Sequence, residues 1–173
     1  MRRPVLRSTL VAAVAAASAL GVLGTTPASA NTTDGYVSGG GDFTNDWDDE
    51  GVLSVNSYGS SNATCMWQLI LVAEGLLASE QIDGEFEVAT YQATKEWQMR
   101  YLGADYANGI VGQETFGRAD DNLVNSTFGK TGAPYWYEGE QGVVRVWRGN
   151  DGRYHFSDAG IDRIAGYDYR TCS

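Results

Sequence analysis

Two segments of the chain repeat one pattern, in which an Asx-Gly turn precedes an apolar residue and a stretch of helical periodicity. The first segment reads IDGEFEVATYQATKEWQ (82–98) and the second reads ANGIVGQETFGRA (107–119). Glycine adopts the left-handed backbone conformation of such turns without the steric penalty that other residues incur. The repeat therefore predicts two tight turns, at Gly84 and Gly109, that aim successive helices at one core.

Apolar residues at helical spacing predict three helices in the middle of the chain. The first covers residues 64–77, the second covers residues 88–101, and the third runs from residue 113 to residue 123. After Asn125 the apolar period becomes two residues. The segments 143–148 and 153–157, joined by GNDG, predict a β-hairpin, and residues 158–166 predict one further helical turn.

The first thirty residues have the order of a secretory signal peptide. Arg2, Arg3 and Arg7 precede an apolar run that ends near residue 23, and Ala28-Ser29-Ala30 follows. A membrane anchor is disfavoured because the apolar run is shorter than the ~20 residues that span a bilayer. We expect cleavage after Ala30, a secreted or wall-associated protein, and no membrane contact after cleavage. The export route stays open.

The expected mature chain is strongly acidic. It has 173 − 30 = 143 residues, and it keeps 12 − 3 = 9 basic against 22 acidic residues, a net charge of 9 − 22 = −13. Long-range attraction to nucleic acid or anionic lipid is thereby excluded as a driving force. Binding must come from local contacts.

The chain has two cysteines, Cys65 and Cys172. An even pair in an exported protein favours a disulfide over a metal site or a nucleophile. A zinc enzyme needs about three His, Cys or carboxylate ligands, and His155 is the single histidine. A Cys-His nucleophile would need a free cysteine beside His155, which would forfeit the disulfide. We expect a disulfide, no metal and no cofactor.

Composition divides the expected mature chain into three parts. Residues 31–62 are rich in Gly, Ser, Asn and Asp and predict a flexible leader that cannot bury a core. Within them, DWDDEG (46–51) has the spacing of a calcium-loop start, but Ser57 stands where a bidentate acid is needed, so a solvated acidic turn is favoured. Residues 63–124 form the helical domain. Residues 125–173 form an extension too small for a core of its own.

The order of three helices and two turns resembles the bacterial peptidoglycan-binding domain, a small module found on many cell-wall hydrolases. The resemblance covers residues 64 to about 124. It rests on Gln68, Leu71, Asp83, Gly84, Phe86, Thr90, Ala93, Trp97, Gln98, Gly109, Ile110, Val111, Gly112, Thr115 and Phe116.

The resemblance implies a small three-helix peptidoglycan-binding-like bundle, and with the C-terminal β-hairpin extension predicted above, we expect an α+β fold. It also implies ligand contact at the first turn, by Asp83 and Gly84. The chain departs from the family pattern at three positions: Glu87 stands for a Gly, Trp97 for a Phe, and Asn108 for the second Asp.

Aromatic residues are concentrated in the extension, at Tyr135, Trp136, Tyr137, Trp147 and Tyr154. Beside Arg145 and Arg148 they would suit sugar stacking and the binding of peptide carboxylates. The alternative is that these strand residues only pack across strands or cover the helices. We take Trp136, Arg145 and Trp147 as candidate ligand-binding residues.

Three functional hypotheses follow, in order of preference. The first is a secreted, non-catalytic protein that binds cell-wall peptidoglycan. The second is a module whose tail binds a protein, to inhibit or target a separate wall hydrolase. The third is a small wall-lytic enzyme, for which a pair of carboxylates such as Glu74 and Glu114 would be needed. The first is favoured because a chain of this length, with helices that match a binding module, has little left for a catalytic cleft.

Overall fold

The computed structural model describes residues 31–125 and 135–173. The predicted signal peptide lies outside the described residues. Three α-helices come first: α1 (Asn62–Ala73), α2 (Val88–Tyr101) and α3 (Gln113–Asp120). Single 3-10 turns lie at Phe43–Asn45, Ser79–Gln81 and Ala104–Tyr106. Within the two described ranges, no helix is long and apolar enough to cross a bilayer.

The first helix, α1, lies at the centre of the domain. Its N-cap is Ser61, whose hydroxyl oxygen accepts a hydrogen bond from the Thr64 amide at 3.0 Å. Every residue of α1 except Val72 is buried, which is the pattern of a helix enclosed on all sides. The helix stops where Gly75 takes a positive φ of 71°, as a C-terminal glycine commonly does. It contacts both α2 and the sheet.

Five strands form one antiparallel sheet in chain order, β1 (Leu123–Asn125), β2 (Tyr135–Glu138), β3 (Val143–Arg148), β4 (Tyr154–Asp158) and β5 (Ile161–Ile164). Alternation along the strands gives the sheet an inner and an outer face. The inner face is buried through Leu123, Tyr137, Val146, Tyr154 and Phe156. The sheet thus covers one side of α1, because α1 contacts β2, β3 and β5.

The expected fold class, a three-helix bundle with a β-hairpin extension, is wrong. The expected hairpin exists as β3 and β4, but it forms the middle of a five-stranded sheet. Residues 158–166, expected as a helical turn, contain a tight turn and β5. Ala159 and Gly160 have φ of 48° and 80°, as a two-residue hairpin turn requires. Alanine rarely adopts this conformation, and the Asn-Gly pair that usually signals such a turn is missing from the sequence.

The segment 31–62, expected to be a flexible leader, contributes to the core through Val37, Trp47 and Leu53, all fully buried. The Trp47 ring packs edge-on against Phe116 of α3 and Tyr154 of β4, at centroid distances of 6.0 and 5.0 Å. Its apolar residues are few and widely spaced, so composition gives no core signal. Each of them nonetheless fills a space between elements that lie far apart in sequence.

The predicted disulfide is confirmed, because Cys65 and Cys172 are bonded. It attaches the end of the chain to the first half of α1. Two further contacts support the same attachment. The Thr171 amide donates to Asn62 Oδ1 at 2.8 Å, and the Arg170 guanidinium donates to the Asp83 carbonyl at 2.6 Å. The C-terminal segment is therefore fixed to both α1 and the first turn.

Candidate ligand-binding surfaces

The first Asx-Gly turn is held by the side chain of Gln68 in α1. Gln68 Oε1 accepts the Asp83 and Gly84 amides at 3.1 and 2.7 Å. Gln68 Nε2 donates to the Glu85 carbonyl at 3.0 Å and lies 3.1 Å from Thr90 Oγ1. A single buried glutamine thus binds two donors and one acceptor of the turn, and it couples the turn to the start of α2.

The second turn repeats this arrangement with Gln98 in α2. Gln98 Oε1 accepts the Gly109 amide at 2.8 Å, and Nε2 donates to the Ile110 carbonyl at 2.8 Å and to Thr115 Oγ1 at 2.9 Å. The sequence repeat is therefore a repeat of structure. The signal for the two glutamines was present, since both occur in the pattern of the family resemblance, but spacing alone gave them no role.

Asp83 and Gly84, candidate ligand-binding residues, are part of this framework. The Asp83 carboxylate accepts from Gln68 Nε2 and from the Glu85 amide, each at 2.9 Å. Gly84 has φ of 73°, and a Cβ there would meet both sulfur atoms of the disulfide at 2.7 Å. Gly84 is therefore required by packing, and the Asp83 side chain already has partners inside the protein.

The departure at Glu87 introduces no backbone strain. Glu87 is the N-cap of α2 with φ of −90° and ψ of −172°, an extended conformation that any residue adopts. Its side chain is exposed and makes no capping hydrogen bond. A glutamate at this position therefore places a carboxylate on the surface beside the first turn.

A cleft of about 640 Å³ opens beside the first turn. We call it the turn cleft. One wall is the loop that contains Val55 and Tyr58, and the other contains Glu87 and Val88, with the buried Phe86 between them. A smaller cleft of about 190 Å³ adjoins it, and the two share Glu85 and Glu87.

The outer face of the sheet brings together the other candidate residues, Trp136, Arg145 and Trp147. Trp136 of β2 lies directly across from Arg145 of β3. The Arg145 guanidinium lies 4.4 Å from the centroid of the Trp147 ring. Across the next strand pair, His155 stacks on Trp147 with centroids 5.2 Å apart and planes inclined by 17°. Sequence reasoning missed His155 as a member of this group, although its alternation with buried neighbours was visible.

Arg148 belongs to the inner face and does not join this surface. Its guanidinium contacts the fully buried Asp46 carboxylate at 2.5 and 2.6 Å, and the Tyr154 hydroxyl donates to the same carboxylate at 2.5 Å. The acidic turn expected to be solvated is therefore turned inward at Asp46. Glu50, in the same turn, is also fully buried.

Two buried carboxyl groups have strongly perturbed pKa values. Burial raises the pKa of Glu50 to about 8 and that of Asp120 to about 7. Such values are common at catalytic sites, but both side chains are fully buried and neither lines the two clefts. Each carboxyl group instead accepts a hydrogen bond within the core. The Tyr167 hydroxyl donates to Glu50 at 2.6 Å, and the Trp47 amide donates to Asp120 at 2.7 Å.

Glu74, considered as one of a pair of catalytic carboxylates, is buried at the end of α1. The Tyr137 and Tyr101 hydroxyls donate to its two oxygens. Burial, and then the adjacent Glu74, raise the pKa of both tyrosines, which keeps them protonated as donors. Glu114 is exposed on α3. Residues 31–125 and 135–173 contain no cluster of three or more potential metal ligands.

No protein-family model, no curated protein and no solved structure matches the chain. The resemblance to the peptidoglycan-binding domain remains a prediction from the sequence. The disulfide is compatible with an extracellular location.

Proposed function

We propose that the protein is a secreted, non-catalytic binding protein that recognises cell-wall peptidoglycan through the outer face of its sheet. The observation that carries the proposal is the composition of that face. The solvated face of an antiparallel sheet is normally polar, whereas here Trp136 and Trp147 flank a single cation, Arg145. Both tryptophans are half-buried, and neighbouring apolar groups on a solvated sheet face mark an interaction surface.

The chemistry of this surface suits a polymer of sugars and short peptides. Indole rings present flat apolar surfaces to sugar faces and keep an N–H for hydrogen bonding. Arg145 offers a planar set of donors to a carboxylate, and its nearest anion, Asp162, is 3.6 Å away and half exposed. Contact with Arg145 and His155 holds the Trp147 ring in place, so a ligand meets a preorganised surface.

A second candidate function is the binding of a protein, such as a separate wall hydrolase. The outer face also carries aliphatic side chains at Val124, Val143 and Ile164, and Val143 is 55% exposed. Aliphatic groups on a solvated face favour a macromolecular partner over a single sugar chain. Retention on an immobilised purified hydrolase, together with absence from the wall pellet, would support this second function.

The test is co-sedimentation of residues 31–173 with purified insoluble peptidoglycan at low and high salt. Most of the retention should resist salt, because stacking is not screened, whereas the contact between Arg145 and a carboxylate should weaken as salt is added. Trp136→Ala and Trp147→Ala should each weaken binding about tenfold, equivalent to about 1.4 kcal/mol. Tyr106→Ala is the matched control, because Tyr106 is 49% exposed on another element.

Two results would contradict the proposal. The first is absence of the unmutated protein from the pellet, which would leave the protein-binding function. The second is equal retention of the Trp147→Ala variant and the Tyr106→Ala control. Thermal melting of each variant separates a loss of binding from a loss of folding. Loss of turbidity in a wall suspension would instead indicate the lytic activity that we considered third.

A further inference from the structure

The turn cleft is a preformed feature of the domain, independent of the outer face of the sheet. The Phe86 amide donates to the Gly59 carbonyl at 2.6 Å, and Ser60 pairs with Glu85 in a short antiparallel bridge. Behind it, Gln68 fixes the turn itself. The two walls are thus joined by backbone hydrogen bonds.

Three large apolar or aromatic side chains on the walls of the turn cleft are exposed. Val55 is 61% exposed, Val88 is 73% exposed and Tyr58 is 37% exposed. Aliphatic groups left in water at this density around a cavity are typical of a ligand site. The volume, about 640 Å³, is in the range of small-ligand pockets, roughly 300–1,000 Å³.

The charges at the turn cleft have one sign. The charged side chains that line it are Glu85 and Glu87, and the adjoining cleft adds Glu80 and Asp83. Glu85 is partly neutralised by Arg170 at 3.2 Å. Glu87 forms no ion pair with any residue in the described ranges. The cleft therefore combines apolar walls with one uncompensated carboxylate at its mouth.

We propose that the turn cleft binds a short peptide that carries a free ammonium group on an aliphatic stem. The stem would lie against Val55 and Val88, and the ammonium group would reach Glu87. A bare metal ion is disfavoured by the apolar walls and by the lack of a three-ligand cluster in the described part of the chain. An anionic ligand is disfavoured by the negative rim. Peptide recognition here does not require the proposed function of the sheet.

The test uses two peptides that differ in one charge. Acetyl-Ala-Lys-Ala amide and its ε-N-acetylated form are titrated into ¹⁵N-labelled residues 31–173. With the free amine, backbone shifts should be confined to residues 55–60 and 85–88, and affinity should fall as salt is added. The acetylated peptide should bind about fivefold more weakly than the free amine, which is the effect expected for the loss of one exposed ion pair.

Variants locate the charge that matters. Glu87→Gln should remove the difference between the two peptides, and it leaves the helix cap unchanged because the side chain makes no capping bond. Glu114→Gln, an exposed acid on α3, is the matched control and should leave the difference intact. Equal binding of both peptides, or no shifts at either wall with the free amine, would overturn the proposal. Retention of Glu87→Gln on peptidoglycan should be unchanged, which separates this site from the sheet.

Discussion

Replacement of Glu50 by Gln should change how the stability of the protein depends on pH. Glu50 is fully buried. Its Oε1 accepts the Ser38 amide at 2.7 Å, and its Oε2 accepts the Tyr167 hydroxyl at 2.6 Å. Burial raises its pKa from 4.5 to about 8, and these two hydrogen bonds only partly oppose the increase. The protonated form is therefore favoured inside the folded protein.

The sign of the effect follows from proton binding. Between the unfolded pKa of 4.5 and the folded pKa of about 8, the folded protein holds a proton at Glu50 that the unfolded chain releases. The contribution to stability is thus fully present below pH 4.5 and is lost as the pH rises toward 8. At about 1.36 kcal/mol per pKa unit, the loss between about pH 5 and about pH 8 is roughly 3 to 4 kcal/mol.

The variant lacks this titration. At about pH 5 it should be less stable than the unmutated protein by about 1 kcal/mol, the value of the altered bond to Tyr167. At about pH 8 it should be the more stable of the two. The difference in Tm between the two proteins should shift by about 10 °C over this range. Thermal melts followed by circular dichroism measure it.

The control is Glu114→Gln, because Glu114 is exposed on α3. Its melting curve should move in parallel with that of the unmutated protein at every pH. Parallel curves for Glu50→Gln as well would refute the reasoning, since they would mean that Glu50 titrates alike in the folded and unfolded chains. The titration of Asp120 changes the stability of both proteins alike, so its contribution cancels from the difference in Tm.

Three further predictions concern the framework. Reduction of the Cys65–Cys172 bond removes the constraint on a loop of 172 − 65 − 1 = 106 residues, so dithiothreitol should lower stability by up to about 4.7 kcal/mol in urea unfolding, with no effect on a double Cys→Ala variant. Gln68→Leu leaves the buried Gly84 amide and the half-buried Asp83 amide without an acceptor and should cost about 3 kcal/mol in the same assay. Arg148→Met leaves the Asp46 carboxylate buried without its cation and should cost about 3 to 5 kcal/mol, which Asp46→Asn should partly restore in thermal melts.

The helices could be predicted from the sequence because their signals are local. α2 spans Val88–Tyr101, as periodicity indicated, and α1 and α3 differ from expectation only in their ends. Phe86 and Val111 are buried at the predicted turns. Each of these features depends on residues within a few positions of one another, which is the range that periodicity and turn chemistry describe.

The sheet could not be predicted in full because its edge strands carry little local signal. β1 has three residues and β5 has four, and both owe their pairing to β2 and β4. The turn before β5 uses Ala159 at positive φ, which no turn rule selects. The buried side chains of residues 31–62 were missed for the same reason, since Trp47 is buried by partners about 70 and 107 positions away in sequence.

The candidate ligand-binding residues fall into two groups, one in the first turn and one on the sheet. The resemblance singled out Asp83 and Gly84. The polar groups of Asp83 and the close packing of Gly84 instead hold the first turn against α1 and the disulfide. The aromatic pattern singled out Trp136, Arg145 and Trp147, and the sheet does place these on one solvated face. In this chain, the turn residues that suggested the resemblance therefore form the turn framework.

Recognition is then left to groups outside that framework. Glu87 causes no backbone strain at the start of α2, and its side chain is exposed to solvent. The indole rings of Trp136 and Trp147 lie on the outer face of the sheet because the adjacent residues on their strands, Tyr137 and Val146, fill the core. A variant that alters either surface should thus leave the fold intact, whereas a change at Gln68 should weaken the turn cleft while leaving the sheet face in place.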